Sequence, residues 1–191
     1  MQHVLAPYSR KPPPFAWWDG AFTNEELDWL QKKAKEATQD ALVCGTKLDK
    51  EHRRTKLNWL YSCEENKWVY ERLSDVAARL NADYYGFDLT GFGEALQMTN
   101  YSSEDQGEYK WHQDSGSNGP CRKLSLVLQL SDPQDYEGGN LEILTSIHPK
   151  VAEKKRGLLA VFPSWTLHQV TPVISGSRQT LVAWISGPDF K

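Results

Sequence analysis

Thr23-Asn-Glu-Glu26 forms a capping box in sequence, and Leu27, Leu30 and Ala34 follow it at helical spacing, which predicts a helix at about 24–37. A second box, Ser62-Cys-Glu-Glu65, predicts another helix running to about Asn81, with Trp68, Leu73, Val76 and Leu80 as its apolar positions. Two stretches ahead of these helices, at about 15–18 and 53–60, read as strands. Beyond Gly93 the texture changes. Apolar stretches at about 94–101, 109–114, 122–131, 140–145, 158–163, 167–173 and 178–186 alternate with turn residues, among them Gly107, Asn118-Gly-Pro120, Glu137-Gly-Gly139 and Ser175-Gly-Ser177.

Many short strands at this spacing predict a sandwich or barrel, and helices first with strands later give an α+β order, mainly β. The pattern within about 122–131 says how the layers stack. Leu124, Leu126, Leu128 and Leu130 share one strand face, while Lys123, Ser125, Val127 and Gln129 share the other. A four-leucine stripe calls for a large apolar partner, and the two N-terminal helices packed on one sheet provide it. The mixed face then looks into the interior, which becomes polar enough to hold a ligand. No repeat or linker divides the chain, so residues 1–191 read as one domain, with helical support at about 20–83 and a β core at about 94–187.

Composition narrows the class. With 191 residues, 39 % hydrophobic and 25 % charged, the chain is neither a disordered polyampholyte nor a membrane protein. The start, MQHVLAPYSRKPPPF, has no apolar signal core. A net charge of −3 argues against nucleic acid as a partner, because phosphate contacts favour a basic surface. Cys44, Cys63 and Cys121 are odd in number and widely spaced, which fits a reducing, cytoplasmic setting rather than a disulfide framework or zinc finger. Nothing in the sequence fixes the oligomeric state.

His112-Gln-Asp114 puts an imidazole and a carboxylate two residues apart, hence on one side of a strand and able to reach one cation. Alone the pair also reads as a satisfied surface contact. Two imidazoles and one carboxylate on one side of a metal make the facial triad of non-haem iron oxygenases, so a second histidine is needed. His168 lies on a strand after the Pro163 turn; His148 is the rival, but it sits beside Pro149 in a Lys-rich loop that points to solvent. In the last strand Arg178, Thr180, Val182 and Trp184 share a face. An inward arginine is costly unless it meets an anion, and guanidinium is the best fork for a carboxylate. The pattern describes a pocket for a small dicarboxylate that also chelates the metal. No HExxH, GxSxG, P-loop or GxGxxG motif supports another enzyme class.

Together, His112-x-Asp114, His168 and Arg178-x-Thr180 resemble the iron- and 2-oxoglutarate-dependent dioxygenases, and within them the prolyl 4-hydroxylase-like branch. The resemblance runs from about Gln97 to Trp184 and includes Asn100-Tyr101, Tyr136-Glu-Gly-Gly-Asn-Leu141, Phe162-Pro-Ser and His168-x-Val170-x-Pro172. It implies a double-stranded β-helix with Fe(II) on His112, Asp114 and His168, and 2-oxoglutarate chelating the metal with its far carboxylate on Arg178. It implies Thr180 and Tyr101 as further cosubstrate contacts, with Ser125 at an inward position for a small hydroxyl residue. Gln129 departs from relatives that carry tyrosine there. O2 is the second substrate, ascorbate the reductant, and succinate and CO2 the co-products. The expected substrate is a peptide or protein containing proline. Arg53, Trp59, Tyr109 and Trp184 are expected on the substrate side, although Arg53 and Arg54 also read as a solvated strand edge. Loops at about 101–109 and 115–120, with Gly107, Gly116 and Gly119 as hinges, are expected to close over the entrance. A small molecule or a nucleobase is the alternative substrate, and a non-catalytic binding sandwich the alternative class.

Overall fold

The computed structural model describes residues 13–43, 48–115 and 121–189. Pro12, Cys44, Gly116, Gly119 and the Asn118-Gly-Pro120 turn lie outside these. Helix α1 (Asn24–Lys35) forms where the first capping box predicts it: the Thr23 hydroxyl accepts from Glu26 N, and the Glu26 carboxylate accepts from Thr23 N at 2.8 Å. Helix α2 (Lys67–Leu80) begins later than expected. The second box does not close, because Asn66 binds the loop instead, its amide accepting from Cys63 N at 2.9 Å and donating to the Tyr61 carbonyl at 2.8 Å. After α2 the chain widens into a π turn, Asn81–Tyr85, closed by Gly86 at φ 66°.

The strands are β1 (Ala16–Trp18), β2 (Gln39–Asp40), β3 (Arg53–Arg54), β4 (Lys56–Leu60), β5 (Gly91–Phe92), β6 (Leu96–Ser102) and β7 (Glu108–His112), then β8 (Arg122–Gln129), β9 (Tyr136–Gly138), β10 (Leu141–Leu144), β11 (Pro149–Val151), β12 (Leu159–Pro163), β13 (His168–Val170) and β14 (Val173–Ser186). They build two antiparallel sheets, the larger ordered β1-β12-β8-β14-β6-β4-β2 with β5 and β9 also on β14, the smaller β11-β10-β13-β7-β3. This is the double-stranded β-helix of the expectation.

The stretch at 53–60, expected as one strand, is two, and they lie in different sheets. Thr55 is the crossing point. Its hydroxyl donates to the Asn100 carbonyl at 3.0 Å, a side-chain bond that stands in for the broken ladder. Asp114 likewise lies beyond the end of β7. Its amide donates to the Ser164 carbonyl at 2.8 Å, so the loop is tied to the turn after β12 rather than to a ladder.

The leucine stripe behaves as expected. Leu124, Leu126, Leu128 and Leu130 are fully buried in one cluster with Leu27, Leu30 and Ala34 of α1 and Val69, Leu73 and Val76 of α2. Burial of each such side chain contributes about 1.5–3 kcal/mol, so the helices are held to the large sheet chiefly by this layer. The opposite face of β8 looks between the sheets. No described helix is long and apolar enough to cross a membrane.

Candidate active site

Three side chains converge between the sheets. His112 Nε2 lies 3.7 Å from Asp114 Oδ1 and His168 Nε2 lies 3.6 Å from Asp114 Oδ2. The three ligand atoms lie within 4.8 Å of one another. The strands arrange this directly: β13 pairs with β7 so that His168 stands opposite His112. Both rings are oriented by their own backbone, since the Nδ1 of His112 is 2.7 Å from the Lys110 carbonyl and that of His168 is 2.9 Å from the Thr166 carbonyl. A carbonyl can only accept, so each Nδ1 carries the proton and each Nε2 turns a lone pair to the centre. Phe162 braces His168 edge-on at 4.8 Å, and the Tyr109 ring stacks on His112 at 3.4 Å.

Protonation suits ligation. Burial, with His168 and Arg53 adding repulsion, pushes His112 down to about 3, so its ring is neutral at ordinary pH. Burial alone would raise Asp114, but His168, His112 and the Ser125 hydroxyl together hold it below the usual carboxylate range. Ser125 Oγ donates to Asp114 Oδ2 at 2.7 Å and lies 3.1 Å from Ser164 Oγ. The buried indole N–H of Trp184 has no partner at normal hydrogen-bond geometry, yet adds a weak pull on the same carboxylate. Two imidazoles presenting Nε2 and one ionised carboxylate fit a divalent first-row metal such as Fe(II). His148 is exposed and lies outside the cluster.

Further along the same face of β8, past Ser125, Val127 and Gln129 line a pocket. Arg178 closes it. Its side chain is only 3 % exposed and forms no ion pair with any described residue. A buried guanidinium without a counter-ion is expensive, so this pocket fits an anion. Tyr101 lies under it, the guanidinium carbon 5.6 Å from the ring centre. The Thr180 hydroxyl is 2.5 Å from that of Thr99 on the neighbouring strand. Gln129 donates to the Tyr136 hydroxyl at 2.8 Å. The phenol therefore stands in this pocket on Tyr136, a residue quoted above only as part of a motif; nothing short of the β9–β14 pairing brings it there.

On the other flank, Arg53 is 8 % exposed, its guanidinium 4.5 Å from the Tyr109 ring centre and 2.7 Å from Gln97 Oε1. The solvated-edge reading of Arg53 is thus corrected: Tyr109 and Gln97 cover it. Arg54 is half-buried too, paired with Glu108 at 2.6 Å. Trp59 packs on Trp184 at 6.5 Å, and Trp184 is capped by Arg122 at 3.9 Å. Arg122 is itself held bidentately by Glu94. Gly107 is no hinge. Its amide donates to the Ser102 carbonyl, its own carbonyl accepts from Val173 N, and a Cβ there would meet the Tyr101 backbone at 2.9 Å.

The sequence profile described as the 2OG-Fe(II) oxygenase superfamily matches residues 96–186, the span holding all three metal-ligand candidates and Arg178. Over that span, a little under half of the chain, the β-helix core is similar to that superfamily. Fe(II), 2-oxoglutarate and O2 are the cofactor set this family implies, and the His-Asp-His cluster fits the iron. A PKHD-type hydroxylase of Hyphomonas neptunium is 45 % identical over 62 residues, 32 % of this chain and 28 % of that protein. The aligned stretch is thus under a third of that relative's length. Among solved structures, a Pseudomonas putida prolyl-4-hydroxylase superposes with a TM-score of 0.72 at 18 % identity, covering 92 % of this chain and 94 % of that one. A Trichoplax adhaerens prolyl hydroxylase, solved with a hypoxia-inducible-factor peptide fragment, gives 0.76 at 15 % identity, covering 91 % and 84 %. At such identities these two establish the double-stranded β-helix fold alone.

Proposed function

We propose that the chain is an Fe(II)- and 2-oxoglutarate-dependent oxygenase that hydroxylates a side chain of a peptide or protein, with peptidyl proline as the favoured target. One observation carries the reading: two imidazoles held with Nε2 toward a buried carboxylate, and in the same interior a buried arginine with no counter-ion among the described residues. Iron bound there with 2-oxoglutarate and O2 supplies the power to hydroxylate an unactivated C–H bond, releasing succinate and CO2, with ascorbate as the supporting reductant.

His112, Asp114 and His168 would hold the metal, and Ser125 would keep Asp114 Oδ2 occupied. Arg178 would take the far carboxylate of the cosubstrate, against the Tyr101 ring, with Gln129 and Thr180 on the same interior face. Burial of the arginine excludes water from that pair, which strengthens it. The substrate side is aromatic. Tyr109 stacks on His112, and Trp59 and Trp184 lie together beside the Asp114 network. Flat aromatic faces suit a proline ring. Two of the structurally similar proteins are prolyl hydroxylases, one of them solved with a peptide, which supports the same substrate class. We assign the chain to a reducing cytoplasm, where thiols such as Cys63 and Cys121 stay free.

Purified protein should convert 2-oxoglutarate to succinate only with Fe(II) and a reductant, and His112→Ala or His168→Ala should abolish the conversion. A panel of proline-rich peptides, free amino acids and methylated oligonucleotides, read by mass spectrometry, tests the target. Proline peptides should raise succinate formation and gain one oxygen on proline. Stimulation by oligonucleotides alone overturns the prolyl reading and leaves the iron chemistry standing.

A further inference from the structure

The pocket closed by Arg178 holds a second cation that the reading above leaves unused. Lys154 sits on the connection between β11 and β12 and lines the same pocket. Its ammonium donates to the Gly138 carbonyl at 2.6 Å and lies 4.8 Å from the centre of the Tyr136 ring. It forms no ion pair with any described residue. Burial lowers its pKa and the neighbouring Arg178 lowers it further, against a weaker opposing pull from Glu137. Two cations thus share a partly buried space without a paired carboxylate.

Tyr136 completes the arrangement. Gln129 Nε2 donates to its hydroxyl oxygen at 2.8 Å, and the positive charge of Arg178 acts on the same phenol. With Gln129 donating, the phenol proton is left for another partner. Gly139, at φ 56°, lets the chain pass close by: a Cβ there would stand 3.1 Å from Arg178 Cδ and 3.3 Å from Tyr136 Cε2. The wall is therefore built tightly around these groups.

We propose that Lys154 and Tyr136 join Arg178 in a three-point seat for the far carboxylate of a dicarboxylic 2-oxo acid, and that Lys154 sets the preference for a dicarboxylate over a monocarboxylate. The inference rests on the cosubstrate reading above. A carboxylate has about four acceptor positions, and the guanidinium fork occupies two of them. The ammonium and the phenol can take the others. Lys154 would exchange a bond to a neutral carbonyl for one to an anion, a stronger contact, and the anion would relieve the repulsion between the two cations. Lys154 is thus a specificity residue. The competing role is a structural strap that merely clamps Gly138 against Tyr136.

Calorimetric titration of the full chain loaded with Mn(II) separates the two roles, comparing 2-oxoglutarate with 2-oxopentanoate, which has the same carbon chain and no far carboxylate. Lys154→Met should weaken 2-oxoglutarate by roughly fivefold to twentyfold, as a charge-assisted contact is lost, and leave 2-oxopentanoate unchanged. Lys154→Arg should keep most of the preference, and Tyr136→Phe should lose a smaller part of it. Equal weakening of both ligands in Lys154→Met, or of neither, overturns the proposal. If Arg178→Met abolishes the preference while Lys154→Met retains it, Lys154 alone is wrong. If Arg178→Met also retains it, the cosubstrate reading fails together with the seat.

Discussion

His112 and His168 share one internal constraint, each giving its Nδ1 proton to the carbonyl two residues back in its own chain. The constraint is local, so the rings stay oriented whatever fills the centre. Asp114, in the loop after β7, is held instead by Ser125, eleven residues away and on another element. Removing that hydroxyl frees Oδ2 to turn away. Ser125→Ala should therefore cost about tenfold or more in Mn(II) affinity, as loss of an outer-sphere bond to a metal-binding carboxylate does elsewhere. Titration by calorimetry reads this directly, and an unchanged affinity would show that Asp114 is positioned by its backbone alone.

Strand β14 does the most at the scale of elements. Its fourteen residues pair with β9 near one end and with β6 and β8 along the rest, so it carries Arg178 and Trp184 on one face at opposite ends of the interior. Its junction with β9 depends on Gly138. A Cβ there would lie 2.1 Å from the Pro172 carbonyl oxygen, and φ of 72° disfavours any other residue. Gly138→Ala should accordingly lose several kcal/mol of stability, about the range of severe core strain, and reduce 2-oxoglutarate binding by displacing Tyr136 and Arg178. Denaturant unfolding measures the first effect. A variant as stable as the parent would mean the junction relaxes freely.

For the whole molecule, what matters is how the helical layer is fastened to the sheet that carries the site. Leucines do most of it, and polar bonds add to them; one is buried at the end of the π turn, where Tyr85 donates to the Val161 carbonyl of β12 at 2.9 Å. Burial raises the pKa of this phenol far above its ordinary value of 10. In the unfolded chain the phenol ionises near pH 10, whereas in the folded protein it stays protonated to higher pH. Its contribution is therefore full below about pH 10 and is lost as pH rises beyond that. Tyr85→Phe should cost about 1 kcal/mol at neutral pH and flatten the alkaline fall in stability. Unfolding free energies at neutral pH and near pH 11 test this; equal alkaline slopes in parent and variant would remove Tyr85 from the fastening.

The sequence by itself determined the parts that depend on short spacings. The Thr23 box and the period of Leu27, Leu30 and Ala34 made α1 readable. Alternation along 122–131 assigned the leucines to the helices and Ser125, Val127 and Gln129 to the interior. The candidate metal cluster was legible because His112-x-Asp114, His168 and Arg178-x-Thr180 form a known set. Tertiary structure decided what depends on contacts between distant segments. Asn66 captured the loop where a second capping box was expected, and Thr55 split one strand between two sheets, because side-chain bonds to Tyr61, Cys63 and Asn100 outweighed local propensity. Arg53 left the surface because Tyr109 and Gln97, from two other strands, cover it. Lys154 and Tyr136 came to Arg178 only through the pairing of β9 with β14 and the return of the chain into β12. No spacing in the sequence encodes that meeting, since it arises from register across the sheet rather than from neighbours along the chain.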